Sequence, residues 1–202
     1  STIFPLKNIV EEEMKLLKER VESEQTISGI SSGYPHLDNL CSGFKPGDMI
    51  VLAGRPGMGK TSFALNMAIE MAKNGSNILV FSLEMPRSQL GTRVMSIDCS
   101  VNAKHLLTGK FDEGETDRLW KNYDSLSRLP IYIDDTSKLT VSDLRSRAKK
   151  LDADLRKSGK KQKLDCIMVD YLQLMSSTVY REDRVRQVED ISRNVKLFAK
   201  DM

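Results

Sequence analysis

Three glycines, a lysine and a threonine stand at fixed intervals in Gly54-Arg55-Pro56-Gly57-Met58-Gly59-Lys60-Thr61, followed by Ser62. The spacing is that of a phosphate-cradling loop, G-x-x-x-x-G-K-[ST]. Glycine at 54, 57 and 59 lets consecutive backbone N–H groups turn inward around an anion, and the positive end of a following helix adds a favourable field. Lys60 has the reach and charge for the β- and γ-phosphates, and the Thr61 hydroxyl can ligate Mg²⁺. The stretch from Gly54 to Ser62, with Arg55, Pro56 and Met58 included, is therefore expected to bind a nucleoside triphosphate together with Mg²⁺. The flanks suit the motif. Met49–Ala53 is a short apolar run that predicts a buried strand, and Ser62–Ala68 opens a helical pattern.

Acidic residues at strand ends decide what such a loop does with its nucleotide. The apolar run Leu164–Val169 ends in Asp170, placed to hold the water shell of Mg²⁺ beside Thr61, or else simply to cap the strand. Tyr171 follows, so a glutamate directly after the metal-holding aspartate is lacking and the base must come from elsewhere. The run Ile78–Leu83 delivers Glu84, which can polarise and deprotonate a water attacking the γ-phosphate. The plainer reading of Glu84 is a helix-start acid favoured by the macrodipole, since Met85-Pro86 opens a helix. Asp134 and Asp135 also end a strand, but Thr136 and Ser137 follow and the pair reads first as loop-forming. Gln173 is either a relay from the γ-phosphate to the next loop or a buried hydrogen-bonding residue.

The elements that position these groups alternate from Tyr34 onward. Strands are expected near 49–53, 77–83, 130–134 and 165–170. Helices are expected near 61–73, 86–98, 112–127, 140–157 and 184–201, with a short one between Val101 and Gly109. This is the α/β pattern of a mainly parallel sheet flanked by helices. In the last helix Val185, Val188, Ile191, Val195 and Phe198 recur every three or four residues and form a packing face. Before the alternation, Val10, Met14, Leu17 and Val21 form a narrow apolar stripe on an amphipathic helix between about Lys7 and Glu22. That stripe packs either on its own domain or on a neighbouring subunit. Ser23–Gly33 reads as a connecting segment, so residues 1–33 form a linker region and 34–202 an ATPase core. Lys157–Lys163 is a basic loop, solvated or touching DNA.

Composition narrows the classes. The 202 residues suit one main domain, and no apolar run approaches the ~20 residues that span a membrane, so a cytoplasmic protein is expected. Cys41, Cys99 and Cys166 are odd in number and widely spaced, which argues against disulfides and zinc and for packing roles. His36 and His105 lack a neighbouring ligand pattern and are expected in surface or turn roles. A net charge of +3 leaves any polyanion contact to local residues.

Taken together, these residues resemble the RecA-like motor domain of the DnaB family of hexameric replicative DNA helicases of bacteria and their phages. The likeness runs through Ser32-Gly33-Tyr34-Pro35-His36-Leu37-Asp38-Asn39-Leu40 before Gly43, Pro46-Gly47-Asp48, and Ala53–Thr61. It continues in Phe81-Ser82-Leu83-Glu84-Met85, Asp170-Tyr171-Leu172-Gln173-Leu174-Met175 and Ile191-Ser192-Arg193-Asn194-Val195-Lys196. The resemblance implies a RecA-like P-loop NTPase fold, ATP held between subunits of a homo-oligomeric, hexameric ring, and single-stranded DNA in the channel. It also implies 5′ to 3′ movement, with primase and a helicase loader as partners, in the bacterial cytosol or that of a phage host. The helix around Val10–Val21 then corresponds to a linker helix that docks on a neighbour. Residues 176–186 correspond to a channel-facing loop in which Arg181, Arg184 and Arg186 contact DNA phosphates, or instead balance Glu182, Asp183 and Glu189.

The family's γ-phosphate-sensing glutamine strand, second DNA loop and arginine finger have no counterpart up to Met202, nor has its primase-recruiting amino-terminal domain. The chain by itself is expected to bind ATP but hydrolyse it weakly. Two alternatives share the motifs: a RecA-fold recombinase or regulatory ATPase that assembles on DNA without unwinding, and a non-hydrolysing nucleotide-gated assembly module.

Overall fold

The computed structural model describes residues 3–22, 27–158, 162–176 and 183–202. It divides into two compact units, Ser1–Lys45 and Pro46–Met202. The division falls on the carboxyl side of the Gly33 boundary expected from sequence.

In the first unit, helix α1 (Leu6–Glu22) buries none of its residues. Val10, Met14 and Leu17 are each half exposed and Val21 more so, so packing of the stripe within its own unit is not realised among the described residues. Residues 27–33, read as connector, are instead tied down. Ile30 bridges antiparallel to Phe44, and the buried Asp38 carboxylate accepts from Ser31 Oγ (2.6 Å) and Ser32 N (2.8 Å). Asp38 lies on α2 (Pro35–Cys41), a helix the sequence reading did not single out.

The second unit is built on a parallel sheet of β1 (Ile78–Ser82), β2 (Ile131–Asp134) and β3 (Cys166–Asp170), ordered β2-β1-β3. β1 is buried throughout, which is why it reads as an unbroken apolar run rather than an alternation. Leu79 and Phe81 join one core with Leu144, Ala148 and Leu155 of α7 (Val141–Lys157) and with Ile191 and Phe198 of α8 (Arg184–Asp201). Their alternates Ile78 and Val80 face the other way, and α3 (Lys60–Lys73) packs there through its buried Leu65, Ala68, Ile69 and Ala72. Burying Phe81 or Phe198 contributes about 1.5–3 kcal/mol each relative to exposure. α7 starts with a capping box in which Thr140 and Asp143 satisfy each other's backbone N–H. α4 (Arg87–Cys99), α5 (Ala103–Thr108) and α6 (Glu115–Ser127) complete the unit between β1 and β2.

Three expectations fail here. Residues 49–53 are not a strand; Ile50, Val51 and Leu52 are 56%, 73% and 42% exposed. A strand needs a ladder, and among the described residues 49–53 pair with no strand, so the outer edge of β3 stays open and the run has nothing to bury it. Val185 is 78% exposed because it sits in the first turn of α8, before the helix reaches the core; Ile191 and Phe198 carry the packing. Cys41 is exposed rather than packed, whereas Cys99 is buried and Cys166 half-buried; all three are free thiols. No helix of the described residues is long and apolar enough to cross a membrane.

Candidate nucleotide site at the carboxyl edge of the sheet

The loop 54–59 leads straight into α3, whose N-cap is Gly59. Gly57 and Gly59 take φ of 78° and 83°, where a side chain would be strained, and the space around both Cβ positions is open. The loop is exposed to solvent. Lys60 folds back over it, its Nζ donating to the carbonyls of Gly54 (2.9 Å) and Arg55 (3.3 Å). The ammonium group thus lies on the loop's own backbone.

One turn of helix starts the contact with the sheet. Thr61 Oγ1 donates to Asp170 Oδ2 at 2.7 Å, joining the first residues of α3 to the last residue of β3. A hydroxyl and a carboxylate side by side form an oxygen donor set suited to a hard cation such as Mg²⁺. In the parallel register Ser82 lies opposite Asp170, and Leu83 N donates to Asp170 O at 2.8 Å. Glu84 therefore emerges at the same edge of the sheet, one strand over. It is exposed, and among the described residues no hydrogen bond or ion pair reaches its carboxylate.

Asp134 ends β2 at this edge too, with Asp135 directly after it, since Phe81 pairs with Asp134. Asp134 behaves as a turn former, accepting from Thr136 N (3.0 Å), and is ion-paired to Arg147 Nη1 (2.6 Å). Burial raises its pKa, but the hydrogen bonds from Thr136 and Arg147 outweigh that and hold it below the usual carboxylate range. Asp135 does something the sequence reading missed: its Oδ2 accepts from Arg87 N at 3.0 Å, at the start of α4. The signal lay in strand order, because β2 and β1 must be neighbours before this contact can be foreseen.

Other expected residues fall less centrally. Gln173 lies on the 3₁₀ turn Leu172–Leu174 and is exposed, which removes its reading as a buried hydrogen-bonding residue. Arg181 lies outside the described residues. Arg184 donates to Gln187 Oε1 (2.8 Å), and Arg186 pairs with Asp183 at 3.3 Å, one of the three acids expected to balance it. His105 does not stand alone. Its Nδ1 is 2.7 Å from Glu115 Oε2 and 3.8 Å from Asp112. Glu115 also accepts from Asn102 N (3.0 Å) and Asp112 N (2.8 Å), and these hydrogen bonds, with that to His105, outweigh its burial and pull its pKa down to about 2. The cluster locks the α5–α6 corner.

Similarity to known proteins extends over most of the chain. Residues 29–202 match the family model described as DnaB-like helicase C terminal domain. The replicative DNA helicase DnaB of Geobacillus stearothermophilus is 40% identical over 178 residues, covering 87% of this chain and 38% of that protein. The corresponding protein of Pasteurella multocida is 37% identical, covering 92% of this chain and 39% of its own length. The chain therefore spans about two fifths of the length of these curated relatives. Among solved structures, one described as an ATPase domain superposes with a TM-score of 0.83 at 28% identity, covering 95% of this chain and 67% of that one. A DnaB-like replicative helicase studied with primase gives 0.80 at 28% identity, covering 95% of this chain and 45% of that one. Sheet, loop and edge acids thus stand on a RecA-like framework, and the chain belongs to the DnaB-like helicase C-terminal domain family.

Proposed function

We propose that this chain is the ATP-hydrolysing motor domain of a replicative DNA helicase. The observation that carries the reading is the Thr61–Asp170 contact at 2.7 Å, with Glu84 delivered to the same edge by the adjacent strand. Lys60 would exchange the carbonyls of Gly54 and Arg55 for phosphate oxygens, with backbone N–H groups of residues 57–62 around them. Thr61 and Asp170 would hold Mg²⁺, which when bound neutralises phosphate charge as a hard Lewis acid. Glu84 would take a proton from water as the water oxygen bonds to the γ-phosphorus and the bond to the ADP oxygen breaks, giving ADP and phosphate.

By family, the complete protein would form a hexameric ring with ATP at subunit interfaces and move 5′ to 3′ on single-stranded DNA in the cytoplasm. Primase and a helicase loader would be its partners. One solved relative concerns a replicative helicase and its interactions with primase. α1 would dock on a neighbouring subunit, and Arg181, Arg184 and Arg186 would meet DNA phosphates. Residues 1–202 alone would bind ATP and turn it over weakly.

The test is a forked DNA substrate with the full-length protein. We expect DNA-stimulated ATP hydrolysis and strand displacement, both lost in Lys60→Ala. Assembly on DNA with hydrolysis but no displacement would replace this reading with a recombinase or regulatory ATPase. Tight ATP binding without phosphate release would replace it with an assembly module.

A further inference from the structure

The hydrogen bonds around Glu84 are more numerous than a strand end requires. The strand stops at Ser82, whose residue is 1% exposed. Its Oγ donates to Met85 O (2.7 Å) and stands 3.3 Å from Met85 N, from which it accepts, so one hydroxyl closes both sides of a turn with Leu83 and Glu84 between. Leu83 is anchored twice, by its N–H on Asp170 O and by its side chain in the core. Beyond the turn, Pro86 offers no N–H and the next one, on Arg87, is taken by Asp135 Oδ2. Asp135 is itself fixed, because the preceding Asp134 is paired to Arg147. Glu84 is thus the one residue of Ser82–Met85 whose side chain is exposed and unpartnered, within a backbone held from both strands beside it.

We propose that Ser82 and Asp135 are positioning residues for Glu84: the hydroxyl and the carboxylate fix the turn that aims the glutamate at the phosphate loop. The inference rests on Glu84 acting as the base. Displacement of a catalytic group by about 1 Å costs on the order of 100-fold in rate, whereas ground-state substrate binding by the loop needs no help from this turn.

In the full-length protein, Asp135→Ala and Ser82→Cys should lower kcat for ATP hydrolysis by roughly 10- to 100-fold, with KM and nucleotide affinity unchanged. Asp135→Asn keeps an acceptor for Arg87 N and should restore most of the rate. Ser82→Cys nearly conserves volume, and it tests the same turn independently should Asp135→Ala fold poorly. Added to Glu84→Gln, Asp135→Ala should cause no further loss. Wild-type kcat in folded Asp135→Ala and Ser82→Cys, or failure of Asp135→Asn to restore the rate, overturns the positioning role. Normal turnover in Glu84→Gln instead overturns the reading of Glu84 itself, so the two failures are told apart.

Discussion

Two glutamates in this molecule sit in opposite situations. Glu115, at the α5–α6 corner, is 5% exposed and accepts from two backbone N–H groups and His105. Glu84, at the carboxyl edge of the sheet, is exposed; its backbone is held and its carboxylate has no partner among the described residues. A carboxylate that spends its lone pairs on the chain stabilises the fold and has little left for a ligand. One whose turn is fixed while its oxygens stay open can accept a proton from something that arrives. If Glu84 is the base proposed above, what sets it apart from Glu115 is an open carboxylate on a held turn at the sheet edge.

The contrast is sharpened first at Glu84. Glu84→Gln should lower kcat for ATP hydrolysis by about 10²–10⁴-fold while ATP binding and Tm stay as in the parent, read by single-turnover kinetics, nucleotide titration and calorimetry. A large fall in Tm would place Glu84 with Glu115 as a structural acid. Next, Asp170→Asn should raise the Mg²⁺ concentration needed for half-maximal hydrolysis by about tenfold or more, because the Thr61 partner carboxylate loses its charge. A Mg²⁺ titration of hydrolysis checks it.

At the other glutamate the effects move to stability. Glu115→Ala strands the amides of Asn102 and Asp112 without their acceptor, and Tm should fall by several degrees with hydrolysis per folded molecule unchanged. The smallest effect is with acid. The folded-state pKa of Glu115 lies near 2, below its ordinary 4.5, so its contribution is complete above about pH 4.5 and is lost as pH falls from there toward 2. Amide exchange of Asn102 and Asp112, measured against Phe81 in β1, should lose protection over that range. Constant relative protection would remove the charge from the account of this corner.

Much of the fold and of the site is legible in the sequence itself. The strands at 78–82, 131–134 and 166–170 and the helix starting at Lys60 fall where apolar runs and the glycine-rich turn put them, because those signals are local. Glu84 and Asp170 were legible as strand ends, and the parallel register puts them on one edge. What sequence could not give depends on neighbours. Residues 49–53 carry a strand's composition but have no ladder partner among the described residues. Asp135 reaches Arg87 only because β2 lies beside β1, and Glu115 collects donors from Asn102, His105 and Asp112 only when α5 and α6 fold together. A side chain's partners belong to the tertiary arrangement, and the role of an acid follows from them.

The most direct trial of the central claim, that the loop, Asp170 and Glu84 serve one nucleotide, is a crystal structure of the full-length protein with Mg²⁺ and a non-hydrolysable ATP analogue. The account predicts Mg²⁺ about 2.1 Å from Thr61 Oγ1 with Asp170 beside it, directly or through one water. It also predicts the Glu84 carboxylate within hydrogen-bond reach, at about 2.6–3.2 Å, of a water in line with the γ-phosphate. A metal held elsewhere, or Glu84 turned away from the γ-phosphate with another acid in its place, would contradict it.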